Sequence, residues 1–233
     1  MHMGRYNGDT RIQALIKERV MYHSKYNHDI TYFFTWGRPV LIEGNGPVCK
    51  EDTDIGKENW TQEYTQLHFK DGITEIKKGF LESFPILKTI IIDSSVKNIE
   101  MTDELRVLLK NNSVVIRGSY DSYAERFAEE NKLLFIHKDI YIGIRRNEEY
   151  QESRTVTLHF DESSKMNLVY EDFCQGISAG NTMGGEFTRD MPEEFHRGCT
   201  LEEFADMMPE AYFDQILKNK ELKAFLDSYA ERK

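Results

Sequence analysis

The sequence predicts an α+β protein with a short stack of repeats at its centre, and three observations carry that expectation. β-Type runs at Leu67–Phe69, Ile90–Ile92 and Val114–Ile116 recur at steps of about 23 and 25 residues, counted from Leu67 to Ile90 to Val115, with a fourth at Leu133–Ile136. No such unit buries its own apolar face, so neighbours must stack. A hairpin pattern precedes the runs and an amphipathic helix closes them.

Composition sets the frame. The chain has 233 residues, 39% hydrophobic and 30% charged, enough for one large domain or two small ones. Thirty Lys plus Arg against forty Asp plus Glu give a formal net charge of -10, and the longest basic runs are Lys77-Lys78 and Arg145-Arg146. Such a chain repels a phosphate backbone, so nucleic acid is not an expected partner. Three cysteines, Cys49, Cys174 and Cys199, are too few for a disulfide framework. No apolar leader core and no stretch of membrane-span length is present, so no membrane association is expected and the default compartment is cytoplasmic.

From the amino end, Ile12, Leu15, Ile16 and Val20 fall on one stripe, which predicts an amphipathic helix from Thr10 to about Tyr26. Ile30–Trp36 is β-rich, Gly37-Arg38-Pro39 breaks it, and Val40–Ile42 resumes, the pattern of a hairpin. In that alternation two of Tyr32, Phe33, Phe34 and Trp36 face a core and two face outward. The glycine-rich, charged segment Glu43–Asn59 reads as a loop or linker. Trp60 and Tyr64, just before the first repeat, are expected to cap the open amino end of the array.

In the unit from Ile73 to Ile99, Ile73 and Ile76 form a Val/Ile-x-x-Ile step, Phe80, Ser83 or Phe84, and Leu87 follow, Ile90 and Ile92 make a short strand, and Val96 and Ile99 begin the next turn. This order resembles the bacterial leucine-rich repeat of the BspA-like class. The match slips by about one residue between Phe80 and Leu87. The following turn, with Leu105, Leu108 and Leu109, lacks the Phe and is degenerate. Val115–Phe135 is similar to the closing segment of such arrays: a strand and Gly118, a Ser-x-Ala-Glu helix, Asn131 and a last strand. Tyr123, Ala124, Phe127 and Ala128 form its apolar face, with Glu125, Arg126, Glu129 and Glu130 toward water. Asp121 or Ser122 suits the helix start and Asn131 its left-handed end. The resemblance covers about residues 65–137 and implies a short leucine-rich solenoid with a parallel strand ladder that serves as a protein-interaction scaffold.

Beyond it, Tyr141–Arg146, Thr155–Phe160 and Asn167–Tyr170 read as strands, and Glu171–Arg189 as a loop of small residues. Thr200–Met208, a stretch around Ala211–Leu217, and Leu222–Tyr229 read as helices. Three regions follow: residues 1–59 with helix and hairpin, 60–140 with the repeats and closing helix, and 141–233 as a small α+β module ending in helices. The echo of Asp121–Arg126 in Asp227–Arg232 reflects shared helix-forming composition rather than duplication.

Candidate chemistry is sparse. The loop Gly176–Gly185 lacks the Gly-Lys-Ser/Thr ending of a phosphate-binding loop. Cys174, His196 and Cys199 are thiolate and imidazole ligand types, but no Cys-x-x-Cys pair accompanies them, so no metal and no other cofactor is expected. His68 and His159 each sit in a Leu-His-Phe triplet, where alternation turns them away from the apolar side. The expected role is therefore non-enzymatic binding of another protein, with His68, Lys70, Ile91 and Asp93 as contact candidates on the outward face of the strand ladder. A narrower form is an acidic immunity-type binder of a basic partner. The competing expectation is a small enzyme with its site near Cys174, the 176–185 glycine loop and His196.

Overall fold

The computed structural model describes residues 20–35, 37–55, 59–147, 152–160, 166–175, 186–190 and 218–231. It is a mixed α/β protein that divides into two compact units, one of residues 1–117 and 123–135 and the other of residues 118–122 and 136–233.

The main sheet has seven strands. β1 (Val20–His23), β2 (Thr31–Phe34) and β3 (Val40–Glu43) are antiparallel neighbours. β5 (Gln66–Phe69), β7 (Thr89–Ile92) and β9 (Val115–Gly118) follow β3 in parallel, and β10 (Leu134–His137) completes the order β1-β2-β3-β5-β7-β9-β10. A second, three-stranded ladder holds β4 (Gly46–Val48), β6 (Ile73–Ile76) and β8 (Asn98–Ile99), again in parallel. Each excursion of the backbone thus lays one strand in the main sheet and one in the small ladder, then returns through a helical segment. The returns are the 3-10 turns Lys50–Asp54 and Leu81–Ser83, then helix α1 (Asp103–Asn111).

The register shows why these strands align. Val40, Leu67, Ile90 and Ile116 are cross-strand partners in sequence, all fully buried. Their inward neighbours Ile42, Phe69 and Ile92 form the next row. From the other ladder Val48, Ile73, Ile76 and Ile99 meet them, and Phe80, Phe84, Leu87, Leu105 and Leu109 from the helical returns close the core. Each buried Ile, Leu or Phe stabilises by about 1.5–3 kcal/mol relative to exposure, so rows of this kind outweigh any surface pairing.

Corners need close backbone approach. A Cβ on Gly72, at φ +105°, would stand 2.1 Å from the Gly44 carbonyl oxygen, and one on Gly44, at φ +132°, would stand 1.8 Å from the Asp29 carbonyl oxygen. Glycine alone permits that spacing. At the next corner Ser95 takes over: its hydroxyl accepts from the Gly72 N–H at 2.9 Å and donates to the Ile73 carbonyl at 2.8 Å.

The hairpin of β2 and β3 forms as the alternation predicts, with Tyr32 and Phe34 buried and Phe33 partly exposed; Trp36 lies outside the described residues. Three expectations fail nearby. The predicted helix to Tyr26 cannot run through Val20–His23, because β-branched and aromatic side chains there pair with β2 as a strand; residues 1–19 lie outside the described set. Glu43–Asn59 is no linker in its described part: it holds β4 and the turn Lys50–Asp54, whose Asp52 is fully buried. Trp60 does not cap an open end. β3 pairs with β5, so Trp60 lies beneath the sheet, with ring centroids 5.1 Å from Phe34 and 4.9 Å from Phe84. Its Nε1 donates to the Thr53 carbonyl at 2.8 Å.

Helix α1 begins at Thr102, whose hydroxyl accepts from the Leu105 N–H at 3.0 Å. Helix α2 (Tyr123–Asn131) buries Ala124, Phe127 and Ala128 as expected, and the Tyr123 hydroxyl accepts from the Ile99 N–H at 2.8 Å. Glu125 is buried rather than solvated. The left-handed residue after α2 is Lys132, at φ 56°, while Asn131 instead donates its Nδ2 to the Phe127 carbonyl at 2.8 Å.

In the second unit β11 (Ile140–Asn147), β12 (Glu152–Phe160), β13 (Met166–Gln175) and β14 (Glu186–Asp190) form an antiparallel meander. Strand therefore extends into both ends of the predicted 171–189 loop, because Glu171–Gln175 pairs with Glu186–Asp190. The terminal helix α3 (Lys220–Glu231) buries Leu222 and Phe225; Phe225 packs at 5.0 Å from His137 and 5.2 Å from Phe160. The predicted helices at 200–208 and 211–217 lie outside the described residues.

Gly72→Ala tests the corner geometry. It should cost about 3 kcal/mol or more, because strained φ and backbone overlap add. Urea melts of the full-length protein check this, and an unchanged midpoint would refute the close approach of Gly44 and Gly72.

Candidate interaction surface

Alternation leaves one residue of each pair in the main sheet pointing away from the core. One lateral row of such residues crosses six strands: Met21, Phe33, Leu41, His68, Ile91 and Arg117 are successive cross-strand partners. Met21 is 52% exposed and the other five are partly exposed. Four of the six are apolar, so the row is an apolar band interrupted by an imidazole and ended by a guanidinium.

Of the predicted contact residues, three converge. Asp93, just past β7, is 3% exposed, and its Oδ1 lies 3.2 Å from His68 Nε2. Its Oδ2 lies 3.4 Å from Lys70 Nζ. Asp93 therefore organises its neighbours rather than offering surface of its own, whereas the Lys70 side chain remains 40% exposed and His68 keeps 17%. Ile91 is the direct cross-strand partner of His68 and flanks this group. The sequence reading missed Met21, Leu41 and Arg117, and it weighed Phe33 only as one of the hairpin aromatics. The outward place of Phe33 followed from the Tyr32-Phe33-Phe34 alternation, but only the register aligns it with His68.

A cleft of about 650 Å³ is lined by Lys77 and Glu100, which pair at 3.0 Å, and Lys77 also pairs with Glu75 at 2.6 Å. The Lys77 ammonium holds the Glu75 carboxyl below its ordinary range, with help from Asn98. For Glu100 the Lys78 N–H acts first and Lys77 second in the same direction, and both carboxylates raise Lys77. These groups are solvent-accessible, where ion pairs add little stability.

Cys49, which lines the same cleft, joins a buried polar node. Asp52 accepts from the Ser24 hydroxyl, and from the Cys49 N–H at 3.0 Å. The Tyr32 hydroxyl lies close enough to feel the same carboxylate, yet among the described residues it has no well-aligned hydrogen-bond partner. Burial, then Asp52, raises Tyr32 well above the usual phenol range. Burial and Asp52 likewise push the Cys49 thiol from 9.0 up to about 12, so at neutral pH it is a protonated, weak nucleophile.

The residues of the enzymatic alternative are not brought together within the described structure. Cys174 lies in β13 opposite Phe187, while residues 176–185, His196 and Cys199 lie outside the described residues. His159, turned outward as its triplet predicts, has Nδ1 3.0 Å from Asp139. Among the described residues no group of three or more His, Cys, Asp or Glu could hold a metal ion, and no helix is long and apolar enough to cross a membrane. No protein-family description, curated protein or solved structure matches the sequence.

Two measurements check the buried node. Asp52→Ala, which strips acceptors from Ser24 and Cys49, should cost about 2–4 kcal/mol, whereas Tyr32→Phe, which removes a poorly paired hydroxyl, should lie between neutral and about 1 kcal/mol stabilising. Equal losses in denaturant melts would contradict this assignment.

The raised acids also fix an alkaline limit. Folding keeps the Cys49 proton that the unfolded protein releases first, so this contribution is full below pH 9.0 and is lost as pH rises toward about 12, with Tyr32 acting in the same sense above 10.0. Thermal midpoints should fall through that window. In a Cys174→Ser/Cys199→Ser variant at pH of about 8, native Cys49 should alkylate roughly a thousandfold more slowly than in urea, from thiolate fraction alone. Equal rates would remove the burial effect.

Proposed function

We propose that this is a non-enzymatic binding protein whose residues 60–140 form a short solenoid of the BspA-like leucine-rich repeat type, and that it engages another protein through the outward face of its main sheet. The observation that carries this reading is the row Met21, Phe33, Leu41, His68, Ile91 and Arg117, a partly exposed apolar band on consecutive strands of one sheet. Parallel strands at separations of 27, 23 and 26 residues, read from Val40, Leu67, Ile90 and Ile116, support the solenoid reading. So do the two parallel ladders and the strand-turn-helix course of each excursion.

A rigid strand ladder suits recognition because its side chains are held at fixed spacing, and little ordering entropy is lost on contact. Leu41 and Ile91 flank His68 and give the band its apolar centre. Lys70, tethered to Asp93, sets a charged margin beside that centre. This is the arrangement of a hot spot with a polar rim.

The test uses the full-length protein as bait in native lysate, with paired variants. Leu41→Glu/Ile91→Glu places carboxylates in the band, and Val107→Glu alters an exposed residue of α1 on another surface. A stoichiometric partner should be retained by Val107→Glu and bound at least about thirtyfold more weakly by the double variant, the scale of one or two interface hot spots. Circular dichroism checks that both variants stay folded. A folded double variant that binds the partner as the parent does would overturn the assignment of this face.

A further inference from the structure

The corner between β3 and β4 carries a reactive dipeptide. Asn45 is exposed and is followed by Gly46, whose missing side chain leaves its amide nitrogen unshielded. In such a pair the Gly46 nitrogen can attack the carboxamide carbon of Asn45. A new C–N bond closes a succinimide, the bond from that carbon to Nδ2 of Asn45 breaks, and ammonia leaves with the displaced proton. Water then opens the ring to aspartate or isoaspartate, so the balance needs only water and involves no redox step.

Here the linking peptide is pinned at both of its polar atoms. The Asn45 carbonyl accepts from Asn27 Nδ2 at 2.9 Å, and the Gly46 N–H donates to the Gly72 carbonyl at 3.0 Å. Ring closure requires rotation of that peptide and release of the nitrogen's proton, and both hydrogen bonds oppose it. We infer that Asn45 is a deamidation site held latent by the fold, converting only when the Asn27–Asn45 and Gly46–Gly72 contacts open.

The product has a structural consequence. Isoaspartate adds a methylene to the backbone at a corner where Gly72 and Gly44 have no slack. A molecule that converts while open therefore does not close into the same register, and the local opening becomes permanent. Aspartate keeps the backbone length and adds only a charge, so the two products differ in effect. Asn45 is thereby a chemical record of how often this edge of the array has opened.

The test incubates the full-length protein in mildly alkaline buffer and follows Asn45 by peptide mass spectrometry, with isoaspartyl methyltransferase labelling to separate the products. Peptide mapping distinguishes Asn45 from Asn7, which also precedes a glycine. Conversion in urea should exceed the native rate by at least about tenfold, the signature of an opening-limited reaction. Asn27→Ala should raise the native rate several-fold, and sub-denaturing urea should do so in the unmutated protein even if that variant folds poorly. Asn45→Gln should remove the labelled peptide. Equal rates in native buffer and urea, or no conversion in urea, would overturn the inference.

Discussion

Lateral register between parallel strands is the constraint on which the rest of this protein depends. Val40, Leu67, Ile90 and Ile116 must lie side by side for any of them to be buried, because each strand is only four residues long and has no core of its own. A slip by one residue would turn Phe69 and Ile92 outward and His68 and Ile91 inward. The backbone enforces the same register at the corners, where Gly44 and Gly72 permit an approach that any side chain would prevent. Apolar rows and glycine corners thus specify one alignment by independent means.

The amino-terminal hairpin is bound into this alignment. β3 is antiparallel to β2 on one side and parallel to β5 on the other, so the hairpin continues the main sheet. Trp60 secures it from below through Phe34, Tyr32 and Phe84. Ser24 and Asp52 join the turn after β1 to the first 3-10 return through a buried hydrogen bond. The outward row that we propose for binding follows from this continuity, since Met21, Phe33 and Leu41 meet His68 and Ile91 only because the hairpin pairs in register.

Polar residues divide between two tasks. Asp93, buried within the fold, directs its oxygens at His68 and Lys70 and so fixes the posture of surface side chains. Lys77, Glu75 and Glu100 remain in water, where their mutual attraction is screened and chiefly shifts protonation. Cys49, beside the buried carboxylate, is raised out of the reactive range by burial and charge. Reactivity in this corner belongs instead to Asn45, through its glycine neighbour.

Local apolar spacing was enough to place the main-sheet strands β5, β7, β9 and β10, the outward turn of His68 and His159, the apolar face of α2 and the terminal helix around Phe225, because each is a pattern contained within a few neighbouring residues; the small-ladder strands β6 and β8 were not read from it. The remainder came from contacts between distant segments. Val20–His23 is a strand because β2 offers it hydrogen bonds, although its spacing also suits a helix. Cys174 belongs to a strand because Phe187, thirteen residues on, lies opposite it. Met21, Leu41 and Arg117 in the outward row were not legible in the sequence, nor was the alignment of Phe33 with His68, since which residue stands beside His68 is a property of register between distant segments, and register arises only when the apolar rows are buried together.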